Sequence, residues 1–205
     1  MTELPREVTA ADIAQLLQRI DEAAERIGYG RADVLDIEDI STATGITPER
    51  VRELLDGAEP EVPPRAKKER ESYYRQLLKQ RLNRLRAGQS YRKIGDAVDL
   101  SHAMIGNLVN GTRSAQVDYS SPLEELYGVG HGFLSKPEGL ALAEQLTKIK
   151  DGLIAAALHD RLLTLGGERA ALRHSGDQAP SLETLLDTLD DLMSQSRPSK
   201  AERGE

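Results

Sequence analysis

Apolar residues recur every three or four positions along most of this chain and almost never alternate one by one, so the pattern predicts helices. Ile13, Leu16, Leu17, Ile20, Ala24 and Ile27 share one face of a helix over about Ala11 to Ile27, with Gln15, Arg19, Asp21 and Glu25 opposite and Thr9 as cap. Gly28 and Gly30 end it. Shorter periodic runs follow at about Ile37 to Ala43 and Pro48 to Leu55, the second opened by a proline suited to a first helical turn. A longer run, about Glu69 to Ala87, carries Tyr74, Leu77, Leu78, Leu82 and Leu85 as its apolar stripe and stops at Gly88. Further on, the spacing predicts a short helix beginning over Pro122 to Leu126 and a long one over Lys136 to Leu165, interrupted near Gly152. A last helix capped by Ser181 repeats Leu182, Leu185, Leu189 and Leu192 at spacings of three and four, with Leu186 and Met193 widening the stripe.

Pro60, Pro63 and Pro64 cannot sustain a helix, so the run around them reads as an extended linker. It divides the chain into an acidic helical domain (1–58), the linker (59–68), a central helical domain (69–135), a C-terminal helical region (136–195) and a tail expected to be disordered (196–205). Hydrophobic residues make up 39% and aromatics only 3%, so the core is built from Leu, Ile, Val and Ala, which reinforces an all-α fold.

The absence of cysteine removes disulfides, thiolate chemistry and cysteine-based zinc sites, and fits a reducing cytoplasm. With no apolar run approaching ~18 residues, and acids in MTELPREVTAADIAQ, the expectation is a soluble protein with no signal peptide and no membrane partner. The net charge of −7 argues against a polyanionic partner until its distribution is considered. From Arg65 to Arg113 there are 12 basic residues and four acidic ones, a cationic centre between acidic ends.

Within that centre, Ser90 to Gly111 meets the requirements of a helix-turn-helix: an apolar residue on the first helix, a tight turn, an apolar residue inside it, a polar cap and two apolar anchors on the second helix. Ile94, Asp99, Leu100, Ser101, Ile105 and Leu108 occupy those places. Ala97 and Val98 complete the first helix's inner face, and Gly95 admits close approach of the two backbones. This stretch, within about Ser72 to Leu134, resembles the Xre (lambdoid repressor and Cro) helix-turn-helix family, and LEELYGV and FL match its later helices. The acidic, Leu-rich C-terminal helices resemble those of EspR-type mycobacterial regulators of secretion genes, with an Xre-like head and a helical dimerisation tail.

The resemblance implies that the second helix lies in the major groove of double-stranded DNA, with His102, Ala103, Gly106 and Asn107 facing base edges. It also implies that Tyr91, Asn110 and Arg113 hold phosphates, and the local charge adds Arg92 and Lys93, with Arg84 and Arg86 as further candidates. Asp99 stands where the family has glycine, in a left-handed turn position that Asp tolerates. Gly106 either admits close approach to DNA or is a tolerated weak point. His102 either donates to DNA or faces solvent.

Moving the motif back by 54 positions pairs Ile94 with Ile40, Asp99 with Gly45, Leu100 with Ile46, Ser101 with Thr47, Ile105 with Val51, Leu108 with Leu54 and Gly111 with Gly57. The N-terminal domain is therefore expected to hold a degenerate second helix-turn-helix. Its carboxylates (Asp33, Asp36, Glu38, Asp39, Glu49, Glu53, Asp56) would repel phosphates, which points to a protein partner.

Nothing in the chain suggests catalysis: phosphate-loop, metalloprotease and nucleophile-elbow motifs are missing, and no cofactor is implied. His131, His159 and His174 share no ligand spacing, so no metal site is expected. The reading is a homodimeric, nucleoid-associated, sequence-specific transcriptional regulator, with Leu182, Leu185, Leu186, Leu189 and Leu192 at the dimer interface or closing an intramolecular bundle. The alternative is a protein-interaction module, antitoxin-like or anti-sigma-like, acting through the acidic domain.

Overall fold

The computed structural model describes residues 7–113, 117–164 and 184–188, and every regular element among them is a helix. In order they are α1 (Ala10–Glu25), α2 (Arg31–Val34), α3 (Ile37–Thr44), α4 (Pro48–Leu55), α5 (Lys67–Arg86), α6 (Tyr91–Val98), α7 (His102–Val109), α8 (Val117–Leu126) and α9 (Glu138–Thr164), followed by a helical segment at 184–188. No described helix is long and apolar enough to cross a membrane.

The described residues form two compact units, one of 7–17 with 36–113 and 117–145, and the other of 18–35 with 146–164 and 184–188. The first contains a core of Leu78 and Leu82 from α5, Ile94 from α6, Ile105, Leu108 and Val109 from α7, Leu123 from α8, and Phe133 and Leu134. Each such side chain, fully withdrawn from water, stabilises by roughly 1.5–3 kcal/mol. In the second unit Ala23 packs with Ile154, Ala157, Leu158 and Leu186.

The 54-residue repeat recurs in the backbone. α3 and α6 begin and end at matching positions, as do α4 and α7. Asp36 and Ser90 cap the first helix of each pair, Thr47 and Ser101 the second, each accepting main-chain N–H bonds. Gly45 (φ 71°) and Asp99 (φ 54°) both make the left-handed turn. Val51 and Ile105, and Leu54 and Leu108, are fully buried at matching places.

Between the pairs, the proline-rich segment does not separate two domains; α3 and α4 belong to the same compact unit as α5 to α8. Arg50 Nη2 donates to the carbonyl of Glu59 (2.9 Å) and to Glu138 Oε1 (2.7 Å), and its Nε reaches Glu138 Oε2 (3.3 Å). Glu138 Oε1 also accepts the N–H of Glu61 (2.6 Å), and Glu59 accepts that of Ala10 (3.1 Å). The segment is a strap held at several points, because its carbonyls and N–H groups find charged partners.

Other expectations differ from the structure. α9 runs through Gly152 without a break; the ~1 kcal/mol cost of a helical glycine is outweighed by burial of Leu146, Ile154, Ala157 and Leu158 around it. α8 begins five residues before Pro122, and the single turn α2 was not foreseen. Ala97 is exposed, leaving Val98 to line the inner face. Leu186 is fully buried within its own unit and Leu185 half-buried beside it, so Leu186 offers no surface to a second copy. Leu182, Leu189 and Leu192, the Ser181 cap and the tail lie outside the described residues.

Candidate nucleic-acid interface

Ser101 sets the start of α7: its side chain accepts the N–H of Met104 at 3.1 Å, replacing a helical partner that the first turn lacks. Ile105, Leu108 and Val109 then turn inward. Helical periodicity leaves His102, Ala103, Asn107 and Asn110 exposed, with Met104 and Gly106 half-buried at the margin.

Tyr91 at the start of α6 lies between two partners. The Arg86 guanidinium sits 5.1 Å from its ring centre, and on the α7 side a Cβ added to Gly106 would meet ring carbons at 3.5 and 3.6 Å. The ring is thereby fixed beside the exposed face of α7. Arg92 and Lys93 are exposed, and the contact of Arg92 with Asp96 is long (3.9 Å) between two solvated side chains, so it leaves the cation available. Arg113 is exposed and reaches Met104 Sδ at 3.5 Å, which keeps it near α7.

Asn107 is oriented. Its Oδ1 accepts from the Thr112 hydroxyl at 3.2 Å, and its main-chain carbonyl accepts from the same hydroxyl (3.0 Å) and from the Thr112 N–H (3.0 Å). Among the described residues the amide nitrogen has no acceptor, and Oδ1 keeps a second lone pair. His102, Ala103 and Asn107 are therefore exposed together on α7, beside Tyr91 and Arg113, while Arg92 and Lys93 are exposed on the first turn of α6.

Two arginines of α5 are committed elsewhere. Arg84 donates to the carbonyl of Ile46 at 2.7 Å, tying α5 to the α3–α4 turn. Arg81 is 1% exposed: it donates to the carbonyl of Phe133, stacks on that ring (5.4 Å), and its Nε and Nη2 have no hydrogen-bond partner among the described residues. Burial pulls its guanidinium down to about 10, still charged at neutral pH. A Cβ on Gly45 would fall 2.7 Å from the Phe133 ring and 2.9 Å from Arg81 Cγ, so this glycine is required by packing as well as by its turn. Arg81 lies between Leu78, Leu82 and Leu85 on the apolar stripe, a placement that could have flagged it.

On the matching face of α4, Glu49 and Glu53 stand where α7 has Ala103 and Asn107. Both are exposed, as are Asp33, Asp36, Glu38, Asp39 and Asp56. His131 and His159 are exposed and His174 lies outside the described residues, among which no cluster of three or more metal-ligating side chains occurs. Comparison with known proteins finds no matching family model, no matching curated protein and no matching solved structure.

Proposed function

We propose that this chain is a sequence-specific DNA-binding transcriptional regulator of the Xre type, acting in the cytoplasm on the nucleoid. The observation that carries this reading is the exposure of His102, Ala103 and Asn107 together on a capped helix whose surroundings supply Arg92, Lys93 and Arg113. α7 enters the major groove, Asn107 reads a base edge, and Tyr91, Asn110 and the three cations hold phosphates. One short helix reads few base pairs, so the regulator acts as a homodimer on half-sites ~34 Å apart or a multiple of it.

Genome-wide footprinting of the full chain tests the reading. A twofold-symmetric site at that spacing is the expected result, with affinity falling steeply as salt rises. Uniform, unenriched protection, or affinity indifferent to salt, overturns it.

The α3–α4 pair takes a protein partner rather than DNA, an assignment supported by Glu49 and Glu53 at the matching positions. Because Arg84 and Arg81 tie this pair to α5, charge reversal at Glu49 and Glu53 is the appropriate test; DNA affinity that rose tenfold would place this face against phosphates and count against a protein-facing role.

A further inference from the structure

A groove of about 250 Å³ lies along the strap, lined by Pro60, Val62, Pro63, Tyr74 and Leu140. Gly139 borders it, and a Cβ there would fall 2.9 Å from Pro60, so the absence of a side chain lets the strap lie close against α9. A cavity of ~150 Å³ accommodates benzene, so this volume suits a body of one to two rings. The walls are stiff: proline fixes its own backbone, and the strap is tied through Glu59 and Glu61 to Arg50 and Glu138. A ligand therefore meets a site formed before it arrives.

Two cations line the same groove. Arg65 and Arg70 are exposed, and among the described residues neither has a hydrogen bond or an ion pair. The acids of the lining, Glu7 and Glu61, form no salt bridge with either of them. Flat proline and tyrosine faces favour an aromatic body, and two unpaired guanidiniums favour a carboxylate.

We infer that the groove between the Pro60–Pro64 strap and the start of α9 is a binding site for a small aromatic carboxylate, whose ring lies against Pro63, Tyr74 and Leu140 and whose anion meets Arg65 and Arg70. This site is separate from the α7 face and does not depend on DNA binding.

The test uses the full chain, 2-naphthoate and its neutral amide, with isothermal titration calorimetry. One naphthoate per chain is expected to bind saturably, and the amide at least tenfold more weakly. The double variant Arg65→Gln/Arg70→Gln should reduce naphthoate to the level of the amide. Val62→Trp, at an exposed position of the wall, should abolish both while the thermal midpoint stays unchanged. Absent or non-saturable naphthoate binding overturns the site. So does full binding by Val62→Trp, and equal binding of acid and amide by the unmodified chain overturns the carboxylate assignment.

Discussion

A Cβ built on Gly95 would lie 2.3 Å from the carbonyl oxygen of Leu100. Real side chains do not tolerate that separation, and the obstacle is backbone within the α6–α7 turn. At the matching place in the first pair the chemistry is different: Ser41 donates its hydroxyl to the carbonyl of Ile46 at 2.5 Å, and Arg84 donates to the same oxygen. Gly95→Ser should therefore destabilise by about 1–3 kcal/mol, as overpacking does. Ser41→Gly loses one hydroxyl bond and should cost about 1 kcal/mol. Urea midpoints measure both, and a Gly95→Ser variant as stable as the parent would contradict the geometry.

Gly106 is different, since Tyr91 would meet an added Cβ at ordinary contact distance. Gly106→Ala should raise stability by ~1 kcal/mol through helix propensity alone. If the glycine also serves close approach to DNA, operator affinity falls while the thermal midpoint rises; a rise in stability with unchanged affinity identifies it as a tolerated weak point.

Glu138 anchors the strap through Arg50 and the Glu61 N–H, and its side chain is only 12% exposed. Its hydrogen bonds, with those of Glu53, hold the Arg50 guanidinium above its usual range. Glu138→Ala leaves the Glu61 N–H without its partner and Arg50 with only Glu53 and the Glu59 carbonyl, a loss of about 1–3 kcal/mol. Limited trypsinolysis should then cut at Arg65 many times faster than in the parent chain. Unchanged protection would mean the strap is held by something else.

Burial, with Glu61 and Glu138 nearby, pushes the Tyr73 phenol up to about 12 from its ordinary 10. Between those values the unfolded chain has released this proton and the folded chain has kept it, so stability falls as pH rises through the window. Tyr73→Phe removes that contribution. Urea midpoints at pH 9 and pH 11 should show a smaller loss for the variant than for the parent, and equal losses would refute the assignment.

Asn107 and Arg92 should separate sequence reading from anchoring. Asn107→Ala should lower discrimination at one base pair by ~1–3 kcal/mol, whereas Arg92→Ala should weaken specific and random duplexes alike and reduce the salt slope by about one. Thr112→Val, which removes the hydroxyl that orients the Asn107 amide, should fall between the parent and Asn107→Ala in discrimination. Equal losses on specific and random duplexes in the Asn107 and Arg92 variants would overturn both roles.

The α3–α4 and α6–α7 pairs, their caps at Thr47 and Ser101 and the 54-residue repeat were legible in the chain because they rest on near neighbours. Pro48 opens α4, Thr47 and Ser101 bond three residues ahead, and Ile40, Ile94, Val51 and Ile105 follow helical spacing. The same locality made His102, Ala103 and Asn107 readable as one exposed face. Tertiary structure alone decided that Arg81 is buried, that the prolines form a strap, that Gly152 breaks nothing and that Leu186 turns inward. Those outcomes depend on partners such as Ile46 for Arg84, Phe133 for Arg81 and Glu138 for Arg50, which lie 38, 52 and 88 positions away. Spacing within a helix says which side a residue faces; it carries no information about what the rest of the chain brings to that side.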